Sequence, residues 1–305
     1  MKDGIRAEGL TKDYGRVVGL DGLTLSVFEG EVFAFLGPNG AGKTTTIRLL
    51  LDLVRPSAGR AWIGGFDCQR QGLQVRRLVG YLPGELPMYP DLTGHGFIQF
   101  LASVGQRPVV ASRLESLLRR FDVSETDLRR RMRDYSHGMK RKLGLIQALM
   151  TDPPVVILDE PTAGLDPLMI EAFAETLRDL VRRAGTTVFL SSHVLSEVEK
   201  TADRIALVRR GRLVALRTID DIRREVPKRV TIEFSTPVNG HVPALSEMVL
   251  VQRDPQSWVV DVDGPLGPLL AAVRDLPVHD VRIAPFGGSA FEQYVLKFYS
   301  DEEAP

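Results

Sequence analysis

The stretch Gly37-Pro38-Asn39-Gly40-Ala41-Gly42-Lys43-Thr44-Thr45 carries the residue types that hold a polyphosphate. Two glycines five apart, then Lys and Thr, fit the phosphate-loop pattern. Glycines let the main chain curl close to phosphates without a Cβ in the way, and N–H groups at a helix start face an anion. In that reading Lys43 reaches the β- and γ-phosphates and the Thr44 hydroxyl holds Mg²⁺. A second set lies downstream, where the apolar run Val155-Val156-Ile157-Leu158 is capped by Asp159-Glu160. Asp159 is placed to hold Mg²⁺ through its water shell, and Glu160 to polarise an attacking water as general base. His193 ends the next apolar run, where a sensor of the γ-phosphate reaches the same cleft. The chemistry these residues spell is phosphoryl transfer to water. It asks a protein for charge cradling, a metal in register and a positioned nucleophile.

Strands and helices must place these groups. Val32–Leu36 is short enough for a buried strand, and Ile47, Leu49, Leu50, Leu51 and Leu53 supply the apolar side of a helix after the loop. Residues 4–36 read as short strands separated by turns, with Leu23, Leu25 and Val27 alternating with polar neighbours and Glu29-Gly30-Glu31 turning the chain. Tyr14, in Thr11-Lys12-Asp13-Tyr14-Gly15, is an aromatic at a turn. Leu78–Leu82 reads as a strand that stops at the breakers Pro83-Gly84-Glu85-Leu86-Pro87. Residues 94–150 are mainly helical by three- and four-residue apolar spacing. Their basic runs, Arg129-Arg130-Arg131 and Lys140-Arg141-Lys142, lack aromatic interleaving and read as a solvated face or a local field favouring phosphate. Beyond Val155–Leu158 come a helix over 170–183, a strand over 186–190, a helix reaching Lys200 and a strand over 205–208. Such alternation implies an α/β core with its site at the strand carboxyl ends. After about Asp221 the pattern changes to a small α+β domain without a catalytic constellation. Its expected features are a turn at Pro237-Val238-Asn239-Gly240, strands at 258–262 and 278–283, and two amphipathic helices.

A chain of 305 residues suggests about two domains. Acidic and basic residues balance at 39 each, so no nucleic-acid partner is expected from charge. The single Cys68 rules out an intramolecular disulfide framework and fits a reducing compartment. The N-terminal residues lead into no apolar signal core, and no apolar run approaches the ~20 residues that span a bilayer. A membrane role is therefore expected to run through a partner.

The ordered motifs resemble the ATPase subunit of ATP-binding cassette (ABC) transporters over roughly residues 4–218. The matches are Gly37–Thr45, Val155–Glu160, Ala163-Gly164-Leu165-Asp166 as the loop that crosses to a second subunit, His193 as the switch histidine, and Tyr14 where the family stacks adenine. The resemblance implies an α/β P-loop NTPase core with an N-terminal antiparallel β subdomain and a helical insertion at about 85–150. These lie in an ATP-binding domain over 4–220, followed by a small α+β accessory domain at 225–300. It implies ATP and Mg²⁺ as cofactors, with Glu160 and His193 catalytic. It implies a second ATP-binding subunit, identical or related, and separate transmembrane permease subunits, at the cytoplasmic face of the cell membrane.

Two departures stand out. The usual Leu-Ser-Gly-Gly-Gln signature, which meets the second subunit's nucleotide, reads Tyr135-Ser136-His137-Gly138-Met139. Ser136 and Gly138 keep the hydroxyl and the close backbone approach, while His137 and Met139 replace small and amide groups. The position of the family's metal- and water-contacting Gln is Gly84; either Glu85 substitutes, or the loop mainly transmits motion to the membrane partner. These features look most like drug- or antibiotic-exporting members. The alternatives are a soluble cassette ATPase acting on a macromolecule, against which stand a single cassette and no heptad run, and a pure nucleotide-binding module, for which Glu160 has no use.

Overall fold

Val32–Leu36, Val155–Asp159 and Thr187–Ser192 are buried at every position and form middle strands of a largely parallel sheet. Unbroken apolar runs of this kind are what a sheet covered on both faces requires. The computed structural model describes residues 2–86, 89–105, 107–225, 227–238, 248–285 and 290–300. By its contacts the chain divides into two units, Met1–Leu216 and Arg217–Pro305.

Along the first unit the strands are β1 (Asp3–Asp13), β2 (Val18–Phe28), β3 (Val32–Leu36), β4 (Ala58–Ile63), β5 (Phe66–Asp67), β6 (Val79–Leu82), β7 (Val155–Asp159), β8 (Thr187–Ser192) and β9 (Arg204–Arg209); β10 (Arg212–Thr218) spans the division. Among the described residues the core sheet runs β10-β9-β3-β8-β7-β6, with β3/β8, β3/β9, β7/β8 and β6/β7 parallel. Register then sets the site: Leu36 lies beside Ser192 and Leu207, and Asp159 beside Ser191. The Phe189 ring locks β8 to β3, its centroid 5.9 Å from Phe33 and 5.4 Å from Phe35, separations at which aromatic pairs attract beyond their buried area.

A second sheet, β2-β1-β4-β5, is antiparallel. Its side chains Ile5, Leu10, Leu23 and Leu25 share one core with Phe33, Phe35 and the helix residues Ile47 and Leu50. Here the structure corrects the sequence reading of short strands, because β1 and β2 run 11 residues each. Register shifts between Ala7 and Leu10 and between Leu10 and Lys12 break the two-residue alternation, and a bulge does so without ending the pairing.

Between β6 and β7 lie helices Gly94–Val104, Ala111–Arg120, Glu125–Arg129 and His137–Leu149. Thr93, Ser124 and Ser136 cap three of them through side-chain oxygens that accept from the first turn, satisfying N–H groups a helix start leaves unpaired.

The second unit, taken by itself, holds β11 (Lys228–Phe234), β12 (Met248–Asp254), β13 (Ser257–Val262) and β14 (Val278–Pro285) in the antiparallel order β12-β13-β11-β14. Trp258 is buried edge-on to Phe234 at 4.8 Å, with Leu269 and Val273 of helix Gly267–Val273 in the same cluster. Helix Ala290–Ser300 contacts helix Ile219–Glu225, and Ile222, Phe291 and Val295 are buried. Strand β12 is unannounced by alternation, since Val249, Leu250 and Val251 are all exposed on an edge. Of the expected turns, Asn239 and Gly240 lie outside the described residues, as does Pro87. Among the described residues no helix is long and apolar enough to cross a membrane.

Because Phe189 joins β3 to β8 beneath the site, Phe189→Ala is expected to destabilise the first unit by about 3–5 kcal/mol. Urea unfolding followed by circular dichroism measures this, and an unchanged midpoint would contradict the packing role.

Candidate active site

Residues 37–42 turn the chain from β3 into helix Lys43–Leu50. Gly42, the residue before that helix, has φ 105°, and a Cβ there would meet the Gly19 carbonyl oxygen at 2.5 Å. Only glycine fits such a position. A Cβ on Gly37 would lie 2.6 Å from the Val208 carbonyl oxygen, so the loop is seated tightly against β9. Pro38, Asn39 and Gly40 form its exposed crown, while Ala41 and Gly42 are buried.

Lys43 folds back under the loop. Its Nζ donates to the Gly37 carbonyl at 2.7 Å and the Pro38 carbonyl at 3.4 Å, and lies 3.2 Å from Glu160 Oε1. Glu160 Oε2 is in turn 2.7 Å from His193 Nδ1. A continuous polar chain, Lys43–Glu160–His193, therefore crosses from the loop helix to the ends of β7 and β8.

Asp159 is 1% exposed. Its Oδ2 accepts from the Thr44 hydroxyl at 3.0 Å and its Oδ1 from the Ser191 hydroxyl at 2.6 Å. Burying a carboxylate is costly without such donors. Glu160 has φ 50°, a left-handed backbone that is uncommon for a residue with a Cβ and carries strain of ~1–3 kcal/mol. Its N–H is held by the Ser191 carbonyl at 3.2 Å and the Ser191 hydroxyl at 3.1 Å.

No motif marks Ser191; the signal that finds it is register, a hydroxyl at the end of the strand beside Asp159. Arg141 also escapes the sequence reading, which takes Lys140-Arg141-Lys142 as a solvated face or a local field favouring phosphate. The structure corrects the solvated-face alternative for Arg141, which is 2% exposed. Burial pulls its pKa below the ordinary guanidinium value, against the opposing pull of Asp159 and Glu160. A helical position one turn past the Ser136 cap points inward, which residue type alone does not reveal.

The other expected residues fall in two groups. Tyr14 is half exposed, its N–H bonded to the Val17 carbonyl at 3.0 Å. Its ring lies over Gly19, where a Cβ would meet Cε2 at 2.7 Å and the Thr45 Cγ2 at 3.4 Å. The ring thus stands beside the start of the loop helix. The signature is elsewhere: Ser136 caps helix His137–Leu149 by accepting from the Met139 N–H at 3.2 Å, with His137 and Gly138 in the first turn. A Cβ on Gly138 would lie 2.8 Å from the Gly164 carbonyl oxygen, so the signature packs on the 163–166 loop of its own chain. Asp166 caps helix Pro167–Ala184 through the Met169 N–H at 3.0 Å. Among the described residues no hydrogen bond or ion pair joins Ser136–Met139 to the phosphate loop.

Gly84 presents main chain, not side chain, to the acids. A Cβ there would sit 3.2 Å from Asp159 Oδ2, and its carbonyl accepts from Arg141 Nη1 at 3.1 Å. Glu85 is exposed on the same turn.

A strand–glycine loop–helix unit at the carboxyl edge of a parallel sheet, facing an acid-tipped strand, defines a P-loop NTPase core. Residues 20–163 match the family model described as ABC transporter. The chain is 42% identical over 224 residues to a daunorubicin resistance ATP-binding protein of Streptomyces coeruleorubidus, covering 72% of this chain and 70% of that one. A second daunorubicin resistance ATP-binding protein of the same organism is 40% identical over 292 residues, 85% of this chain and 90% of that one. A solved ATP-binding subunit of an ABC transporter is 32% identical with a TM-score of 0.66, covering 72% of this chain and 92% of that chain. The chain belongs to the ABC transporter ATP-binding proteins, and it is an ATPase of that family.

Lys43→Ala removes the loop's buried cation. ATP affinity measured by equilibrium titration is expected to fall ~10-fold or more, the loss of a charge-assisted contact of about 1.5–3 kcal/mol, with the thermal transition preserved. Wild-type affinity in that variant would withdraw Lys43 from phosphate binding.

Proposed function

We propose that this chain is the energy-coupling subunit of an exporter of drug- or antibiotic-type molecules. The observation that carries the hydrolytic part is the convergence of Lys43, Thr44, Asp159, Glu160 and His193 on one cleft. The resistance proteins of Streptomyces coeruleorubidus support the export part, one of them matching through 85% of this chain.

In this reading the loop N–H groups and Lys43 take the phosphates, and the Tyr14 ring stacks the base. Thr44 would hold the metal and Asp159 would meet it through its water shell: the two oxygens, 3.0 Å apart, suit a hard cation that keeps several waters beside one protein ligand and phosphate oxygens. Mg²⁺ bound there would neutralise charge on the β- and γ-phosphates. Glu160 polarises the attacking water, and His193, bonded to its carboxylate, orients it and meets the γ-phosphate. Lys43 exchanges Glu160 for phosphate when nucleotide enters, which frees the carboxylate for water.

The signature residues Ser136, His137, Gly138 and Met139 act in a second copy's site, with Asp166 on the crossing loop beside them. Their separation from this chain's own loop supports a head-to-tail pair, each ATP held between one chain's loop and the other's signature. Closure of the pair drives separate transmembrane permease subunits, with the protein peripheral on the cytoplasmic face. At the 84–85 turn the main chain of Gly84, not the Glu85 carboxylate, faces the metal acid, which supports a transmitting role for that loop. Residues 225–300 form an accessory domain.

Glu160→Gln is the direct test. It is expected to bind ATP, lose on the order of 10²–10⁴ in kcat, and accumulate as an ATP-dependent dimer in size-exclusion chromatography. Wild-type turnover by that variant would require another base.

A further inference from the structure

We propose that Arg141 is the positioning residue through which the signature helix sets the geometry of its own chain's acid, Glu160. Arg141 sits one turn into helix His137–Leu149, behind the Ser136 cap. Its planar fork donates only to main-chain oxygens of two loops. Nη1 reaches the carbonyls of Pro83 at 2.9 Å and Gly84 at 3.1 Å. Nη2 reaches those of Asp159 at 2.6 Å and Glu160, and Nε reaches that of Pro161 at 3.2 Å. Among the described residues Arg141 makes no ion pair. The hydrogen bonds of the guanidinium to Asp159, Glu160 and Pro161 therefore all go to the backbone that carries the acids, and fix it.

The left-handed peptide at Glu160 is what needs fixing. Ser191 holds its N–H from β8, and Arg141 holds its C=O from the signature helix. With both sides clamped, the Glu160 carboxylate is aimed between Lys43 and His193. The same fork holds the Pro83-Gly84 turn, whose Gly84 lies against Asp159. A lysine has neither the five donors nor the planar spread to bridge these oxygens. Any displacement of helix His137–Leu149 is thus delivered to the 83–84 turn and to the 159–161 turn together. Resting on the two-copy reading above, this makes each chain's acid responsive to the nucleotide its own signature touches in the partner's site. Hydrolysis at the two sites is then coupled through Arg141.

The test uses the full chain, with Arg141→Met and Arg141→Lys compared with wild type for ATP affinity, kcat and the Hill coefficient for ATP. Arg141→Met is expected to keep ATP affinity within about twofold, lose on the order of 100-fold in kcat, as small misplacements of catalytic groups do, and turn over without cooperativity. Arg141→Lys is expected to fall between, with affinity again unchanged. Wild-type kcat and cooperativity in Arg141→Met overturns the proposal, as does an affinity loss as large as the kcat loss, which would mark general collapse of the site. Should Arg141→Met show no cooperative melting transition, Arg141→Lys decides: lowered kcat at unchanged affinity sustains the assignment, and wild-type kcat removes it. Wild-type turnover independent of protein concentration would count against the two-copy reading alone, and the kcat arm still judges Arg141.

Discussion

A carboxylate buried at the mouth of the phosphate loop is the constraint on which the rest of this chain depends. Asp159 lies against the phosphate-loop helix, its Oδ2 3.0 Å from the Thr44 hydroxyl, yet at 1% exposure it has little water to solvate it. The fold answers with two hydroxyls, Thr44 from the loop helix and Ser191 from the neighbouring strand. Both require the parallel register that sets β3, β8 and β7 side by side with their carboxyl ends level. That register is in turn held by apolar strands buried on both faces and by the Phe33, Phe35 and Phe189 rings. The chemistry and the core are therefore one problem, because loosening the sheet unpairs the acid.

Much of the cleft was legible because its residues are local in sequence or mark strand ends. Gly37–Thr45 needs only its own spacing and the flanking apolar runs, and Asp159 and Glu160 need only the run before them. Strands β3, β7, β8 and β9 follow from unbroken apolar stretches. What stayed hidden depends on contacts between distant segments. Ser191 gains its place from a register visible only once β7 and β8 are paired. Arg141 looks like part of a basic surface run until the helix phase turns it inward. The long strands β1 and β2 look like fragments in sequence because bulges interrupt their alternation, and edge strand β12 shows no alternation to read.

The two departures from the family pattern acquire a physical setting. Gly84 has no side chain to offer where the family carries a Gln, and main chain lies against Asp159 there. The buried fork of Arg141 then ties that main chain to the strand carrying the acids. In the signature, His137 packs beside Gly164 and Gly138 beside the Gly164 carbonyl. The altered His137 and the retained Gly138 thus both pack on their own chain's 163–166 loop, and Ser136 remains at the exposed helix start. Arg141 links the signature helix to the turns that carry the acids, while among the described residues no hydrogen bond or ion pair joins Ser136–Met139 to its own chain's phosphate loop.

In the proposed pair each chain supplies half of two sites. The most direct measurement mixes two inactive full-length variants, Lys43→Ala and Ser136→Arg, and follows ATP hydrolysis. The mixed pair contains one site with an intact loop from one chain and an intact signature from the other, so activity is predicted to appear on mixing though neither variant has it alone. A mixture as inactive as its components, with pair formation verified by crosslinking, would contradict the composite site.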